Sequence, residues 1–166
     1  MSILISFPIL LITVILQTTA VSRLPLVNGS ADLMLIVLAA WGIHDKGRTA
    51  WIWAIIGGLM MSIVSATPWI LVMIPYLVVA VSAQLLHSRI WQSPILAMLV
   101  ITILGTLLQH ILEITMLRFN DIAMNVATIL GAVTVPSLVL NLILALPIYI
   151  LVRDIGRWVY PAEQYE

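Results

Sequence analysis

The chain contains no cysteine among its 166 residues, which excludes disulfides and thiolate-ligated metals. Charge is almost as scarce. Seven basic and seven acidic side chains make up 8% of the sequence, against about a quarter in a soluble domain, while 63% is hydrophobic. Too few polar side chains remain to cover a water-facing surface, so the composition reads as an integral membrane protein. The net charge of zero removes the basic patch that nucleic acid or an anionic-lipid tether would require. The single lysine, Lys46, sits in the loop sequence HDKGR without the glycine framework of a phosphate-binding loop. Short alternating apolar segments, the mark of a membrane barrel, are missing too.

What is present is a series of apolar runs, most of them roughly 18 to 24 residues long, the length that crosses a bilayer as a helix. The expected fold is all-α, one polytopic transmembrane domain over 1–166 with six spans at about 3–22, 31–43, 49–66, 69–86, 95–117 and 136–152. Met1-Ser2 puts no Lys or Arg ahead of the first run, so that run is expected to be a retained span rather than a cleaved signal. Span two is entered by Ser30 and Asp32, which suit a helix N-terminus as cap and dipole partner. It is short, and needs nearby packing or local bilayer thinning to cross. Thr67-Pro68 is so brief a turn that spans three and four must be antiparallel neighbours. Pro75 is expected to kink span four. The run from Ile122 to Val152 is too long for one simple span and is divided at Pro136, leaving 122–133 as an interfacial segment; a single kinked helix is the alternative. Lys46, Arg48, Arg89, Arg153 and Arg157 then share the side of the N-terminus, with only Arg23 and Arg118 opposite, which places both termini in the cytoplasm. Trp41, Trp51, Trp53, Trp91 and Trp158 fall near inner ends and Trp69 near an outer one, as interfacial belts require.

Two helices carry further information. In span three, Ala50, Ala54, Gly58, Ser62 and Ala66 recur every four residues and form a stripe of small side chains, which admits a close neighbour. That neighbour is either another helix of this chain or a separate protein, and the short turn to span four favours an internal contact. In span five, Thr102, Gly105, Thr106, Gln109, His110 and Glu113 lie on one face, which must look into the bundle. At 1.5 Å per residue, Glu113 lies about 6 Å below the outer end of its helix. Gln17 and Asn141 reach a comparable depth. With Asp32 they predict an outer polar cluster of Gln17, Asp32, Gln109, His110, Glu113 and Asn141, with Arg23 or Arg118 as counter-charge for Glu113 or Asp32. Such a cluster can bond helices together, line a small-molecule cavity open to the outside, or grip a partner.

No enzyme is expected, and no metal or cofactor. His110 and Glu113 form a lone H-x-x-E on one helix, whereas a dimetal bundle site needs ligands from several. Ser62, Ser65, Ser82 and Ser137 lack an evident base and orienting acid. A proton relay through His110 and Glu113 would be short of the distance across a bilayer. Partners compatible with the composition are membrane lipids, a second copy of the chain in a homodimer, or another membrane protein.

Several segments resemble the MreD family: Gln17-Thr18-Thr19, Ala31-Asp32-Leu33-Met34-Leu35, Gly47-Arg48, Gly58-Leu59 leading to Ser65-Ala66-Thr67-Pro68, and the closing run from Pro136 to Pro147 that contains Asn141. The resemblance extends over nearly the whole chain. It departs where that family usually has an acid four residues after the glycine of Gly-Leu, since Ser62 stands there, and where glycine is common, since Ala66 does. The resemblance implies a rod shape-determining protein of the bacterial inner membrane without catalysis of its own. It would bind MreC and, through it, the actin-like MreB and the elongation glycosyltransferase and transpeptidase that build lateral-wall peptidoglycan. The family is similar in its six-helix arrangement to the substrate-binding subunits of energy-coupling-factor vitamin transporters, which is the alternative reading. Those subunits resemble one another in a small-xxx-small face on the first helix, and only Ser2 and Ser6 have that spacing here.

Overall fold

Apolar runs that must satisfy their own backbone groups fold as helices, and among the described residues the chain forms helices throughout with no strand. The computed structural model describes residues 2–19, 29–44, 49–65, 67–87, 93–120 and 125–159. Arg23, Ala66, Lys46, Arg48, Arg89 and Trp91, and the first residues of 122–133, lie outside the described residues. The elements are α1 (Ser2–Thr19), α2 (Leu33–His44), α3 (Ala50–Val64), α4 (Trp69–His87), α5 (Pro94–Phe119), α6 (Val126–Ile129), a π-helical turn (Leu130–Thr134) and α7 (Val135–Val159).

Short α2 is the hub. It packs against α1, α3, α4, α5 and α7, and every residue from Leu33 to Ile43 is buried. A helix surrounded on all faces needs no polar side, and LMLIVLAAWGI has none. At 1.5 Å per residue its 12 residues run only about 18 Å. Because neighbouring helices enclose it, lipid thickness places no demand on that length. Close packing is bought with small residues. A Cβ on Gly42 would lie 2.7 Å from the Ala83 Cβ and 2.9 Å from the Ala80 carbonyl oxygen, so α2 and α4 nearly touch backbone to backbone. Likewise a Cβ on Gly105 of α5 would strike Val79 of α4.

Three helical stretches, Trp69–Leu86, Pro94–Phe119 and Val126–Arg157, are long and apolar enough to cross a membrane; α2 and α3 are shorter apolar helices. Many large apolar side chains of the described residues are exposed, Phe7, Ile63, Trp69, Leu104, Ile143 and Leu151 among them. A surface of this kind suits lipid, since soluble monomers rarely expose large contiguous apolar areas.

The expected division at Pro136 does not occur. The chain is helical without interruption from Val126 to Val159, so the kinked single helix replaces the interfacial segment over the described part of 122–133. Pro136 has no N–H to return to the Ala132 carbonyl, and at this point the helix widens: Val135 N–H donates to the Leu130 carbonyl, five residues back. The π turn absorbs the proline and the run continues. Trp41 and Trp53 also differ from expectation. Rather than facing an interface, they are buried and stacked, ring centroids 3.9 Å apart and planes 14° from parallel. Trp51 and Trp69 point outward.

The small-residue stripe of α3 packs inward over its first half. Ala50 and Ala54 are fully buried, and a Cβ on Gly58 would meet Met73 of α4 at ordinary contact distance, 3.4 Å. Ser62, half-buried, turns its hydroxyl back to donate to the Leu59 carbonyl at 2.7 Å. Gly57, outside the stripe, sits tighter, its Cβ position 2.8 Å from Met34 Sδ of α2.

Candidate functional site

The start of α2 lies inside the bundle, so its free N–H groups need protein partners. They find them on α1, on α7 and on Asp32 itself. Gln17, in the last turn of α1, clamps the incoming strand: its Nε2 donates to the Ala31 carbonyl and its Oε1 accepts from Leu33 N–H, both at 2.7 Å. Asp32 caps the helix, Oδ1 accepting from Leu35 N–H at 2.9 Å. Its other oxygen accepts from the Tyr76 hydroxyl of α4 at 2.9 Å. Asp32 N–H donates to Asn141 Oδ1 of α7 at 2.7 Å, and Asn141 Nδ2 donates to Thr106 Oγ1 of α5 at 2.8 Å. Thr106 passes its own proton to the Thr102 carbonyl at 2.8 Å. One residue ahead of the cap strand, Ser30 N–H donates to Ser137 Oγ at 3.0 Å, and Gly29 lies against Pro136 and Ser137 so closely that no Cβ fits.

This network floors a cavity of about 170 Å³. Gln17, Asp32, Gln109, His110, Glu113 and Asn141 all line it, so the six side chains grouped by helix depth share one space. Tyr76, Thr106, Ser30, Ser65 and Thr67 add to the polar wall, and Met61, Leu71, Val72 and Val133 to the apolar one. On the α5 side Gln109 Nε2 approaches Glu113 Oε1 at 3.4 Å and His110 Nδ1 lies 3.7 Å from Glu113 Oε2. These are loose contacts.

The expected counter-charge is not found at Arg118. Its side chain is exposed beside Ile114, Thr115, Phe119 and Val126, and among the described residues it pairs with neither Glu113 nor Asp32. Five residues separate Arg118 from Glu113, which turns the two about 140° apart on one helix. Arg23, the other candidate, lies outside the described residues. Asp32 is instead held by the backbone amides of the helix it caps and by Tyr76.

No protein-family model, curated protein or solved structure matches the chain.

Tyr76 is the participant that sequence reasoning missed. A tyrosine in an apolar run reads as an interfacial anchor, and nothing in its local spacing announces an acid 44 residues away. The adjoining Pro75 was the available signal, because a proline inside a span opens the backbone where polar groups gather. Between α1 and α7 runs a second concavity of about 240 Å³, lined by Ile9, Ile12, Leu16, Ile148, Leu151 and Ile155 with Leu33 and Val37 of α2 at its floor. Apart from Thr13 its lining is hydrophobic.

Proposed function

We propose that the chain is a six-span, non-enzymatic scaffold of the bacterial inner membrane, with both termini in the cytoplasm, that holds MreC within the complex building the lateral cell wall. The resemblance of its segments to the MreD family is the starting point. The observation that carries the reading furthest is the apolar groove between α1 and α7. Ile9, Ile12 and Leu16 recur at three and four residues along one wall, the spacing with which a helix face meets another helix. The polar groups of the bundle, by contrast, are turned inward to hold the start of α2. A single membrane helix of MreC laid in the groove would cover Leu33 and Val37 of α2 at its floor. MreB and the elongation glycosyltransferase and transpeptidase would be reached through that partner.

Co-expression and purification in mild detergent test this. Stoichiometric recovery of a partner with one membrane span and a periplasmic coiled coil is expected, and Ile12→Trp with Leu151→Trp should abolish it while the purified chain stays monodisperse. Recovery unchanged by both substitutions would remove the groove from the reading.

A second reading, the substrate-binding subunit of a vitamin-type transporter, is favoured by the polar cavity. Its volume argues against it, since about 170 Å³ falls below the roughly 300 to 1,000 Å³ of pockets that enclose drug-sized ligands. Co-purification of a vitamin and an ATPase module would reverse the preference.

A further inference from the structure

Donors and acceptors around the cavity are unequal. Gln17 Nε2, the Tyr76 hydroxyl, Asn141 Nδ2 and the Thr106 hydroxyl are each directed at an acceptor of the protein itself, while Ser30, Ser65 and Thr67 add hydroxyls that donate or accept. Acceptors are left over. Glu113 is 40% exposed, and its oxygens are met only by Gln109 at 3.4 Å and His110 at 3.7 Å, where charge-assisted bonds close to about 2.7–2.9 Å. An ionised carboxylate offers about four lone-pair sites, so Glu113 has most of its capacity free. Pro75, lacking an N–H, also leaves the carbonyl of cavity-lining Leu71 without its α-helical donor. Two carboxylates line the space, and among the described residues no lysine or arginine does.

We infer that this cavity is a binding site for a small primary ammonium group, with Glu113 as its main anchor. An ammonium brings three N–H donors, one positive charge and no acceptor, which is the complement of what the walls present. A guanidinium fits less well, because its fork needs both carboxylate oxygens on one side, and Gln109 and His110 stand at one oxygen each. A hard metal ion would gather several carboxylates, and the described residues contain no group of three His, Cys, Asp or Glu. The volume admits about five water-sized groups, enough for an ammonium with a two- or three-atom tail. The same chemistry comes from two sources, a free amine such as ethanolamine or the headgroup of phosphatidylethanolamine. The site stands on the cavity alone and does not depend on a partner in the groove.

The test uses the full chain purified in detergent and in nanodiscs of phosphatidylglycerol with or without phosphatidylethanolamine. Ethanolamine hydrochloride should bind saturably and raise the unfolding temperature, whereas choline, which is cationic but has no N–H on its nitrogen, should not. Glu113→Gln should weaken binding by about tenfold or more, as loss of a charge-assisted bond implies. Binding of free ethanolamine without preference for the lipid identifies a soluble amine; selective retention of phosphatidylethanolamine, lost in Glu113→Gln, identifies the headgroup. Failure of both arms overturns the inference, as does an equal response to choline, a comparison made on the unsubstituted chain and so independent of whether the variant folds. Binding of ethanolamine by a chain that recruits no ATPase module keeps the site and removes the transporter reading.

Discussion

Replacing Asn141 by leucine, which keeps the branched outline but is larger and apolar, removes a side chain that bonds α7 both to the entry of α2 and to α5. Two buried bonds are lost, from Asp32 N–H at 2.7 Å and to Thr106 Oγ1 at 2.8 Å. Interhelical bonds in membrane proteins average about 0.6 kcal/mol and reach about 1.7, so the pair accounts for about 1–3 kcal/mol. The Asp32 amide then stays buried without an acceptor, which costs about 1–3 kcal/mol more when no water replaces it. The expected destabilisation is about 2–6 kcal/mol in all. Unfolding by SDS titration from mixed micelles, followed by tryptophan fluorescence, measures it. Gln109→Leu is the internal comparison, since its bond to Glu113 is 3.4 Å long and lies within one helix, worth about 0.5 kcal/mol at most. An Asn141→Leu chain within about 0.5 kcal/mol of the parent, or a Gln109→Leu chain equally destabilised, would refute the claim that the start of α2 is held by this network.

Tyr76→Phe keeps the ring but takes the hydroxyl from Asp32 Oδ2, and should cost about 1–3 kcal/mol in the same titration; no change would mean that Asp32 is satisfied by the helix it caps. Gly42→Ala places a methyl 2.7 Å from the Ala83 Cβ and should lower thermal stability by about 1–3 kcal/mol, with Ala83→Gly restoring part of it. Gln17→Leu opens both bonds between α1 and the entry to α2, so hydrogen exchange at Leu33 N–H should accelerate by about tenfold or more, while exchange in α5 stays as it was.

Helix depth was legible in the sequence, and partner choice across helices was not. The rise of 1.5 Å per residue is enough to bring Gln17, Asp32, Glu113 and Asn141 to one level, and they meet around one cavity. The direction each side chain faces depends on how helices rotate against one another, which is settled by tight contacts such as Gly42 on Ala83 and Gly105 on Val79. Arg23 or Arg118 was therefore matched to Glu113 or Asp32 by level alone, although Arg118 is exposed and among the described residues pairs with neither, and Tyr76 was passed over. The boundary at Pro136 was misplaced for another reason. Proline removes a hydrogen bond without forcing a break, and a π turn restores the pairing with one extra residue. Burial of α2 could be anticipated from a run without a polar side, while its shortness left nearby packing and local bilayer thinning both open until its neighbours were known to enclose it.

The position of α2 also dictates an order of assembly. Synthesis delivers this helix second, but α4, α5 and α7, which form most of its walls, arrive later. Until then only α1 can hold its first residues, through Gln17, and the Asp32 amide waits for an acceptor 109 residues further along the chain. Asn141 therefore acts as a latch: the centre of the molecule is made early, and α7, which follows α2, α4 and α5 along the chain, locks it. A chain shortened before residue 141 would keep its hub and lose the closure, leaving an open bundle with the entry to α2 exposed to quality-control proteases.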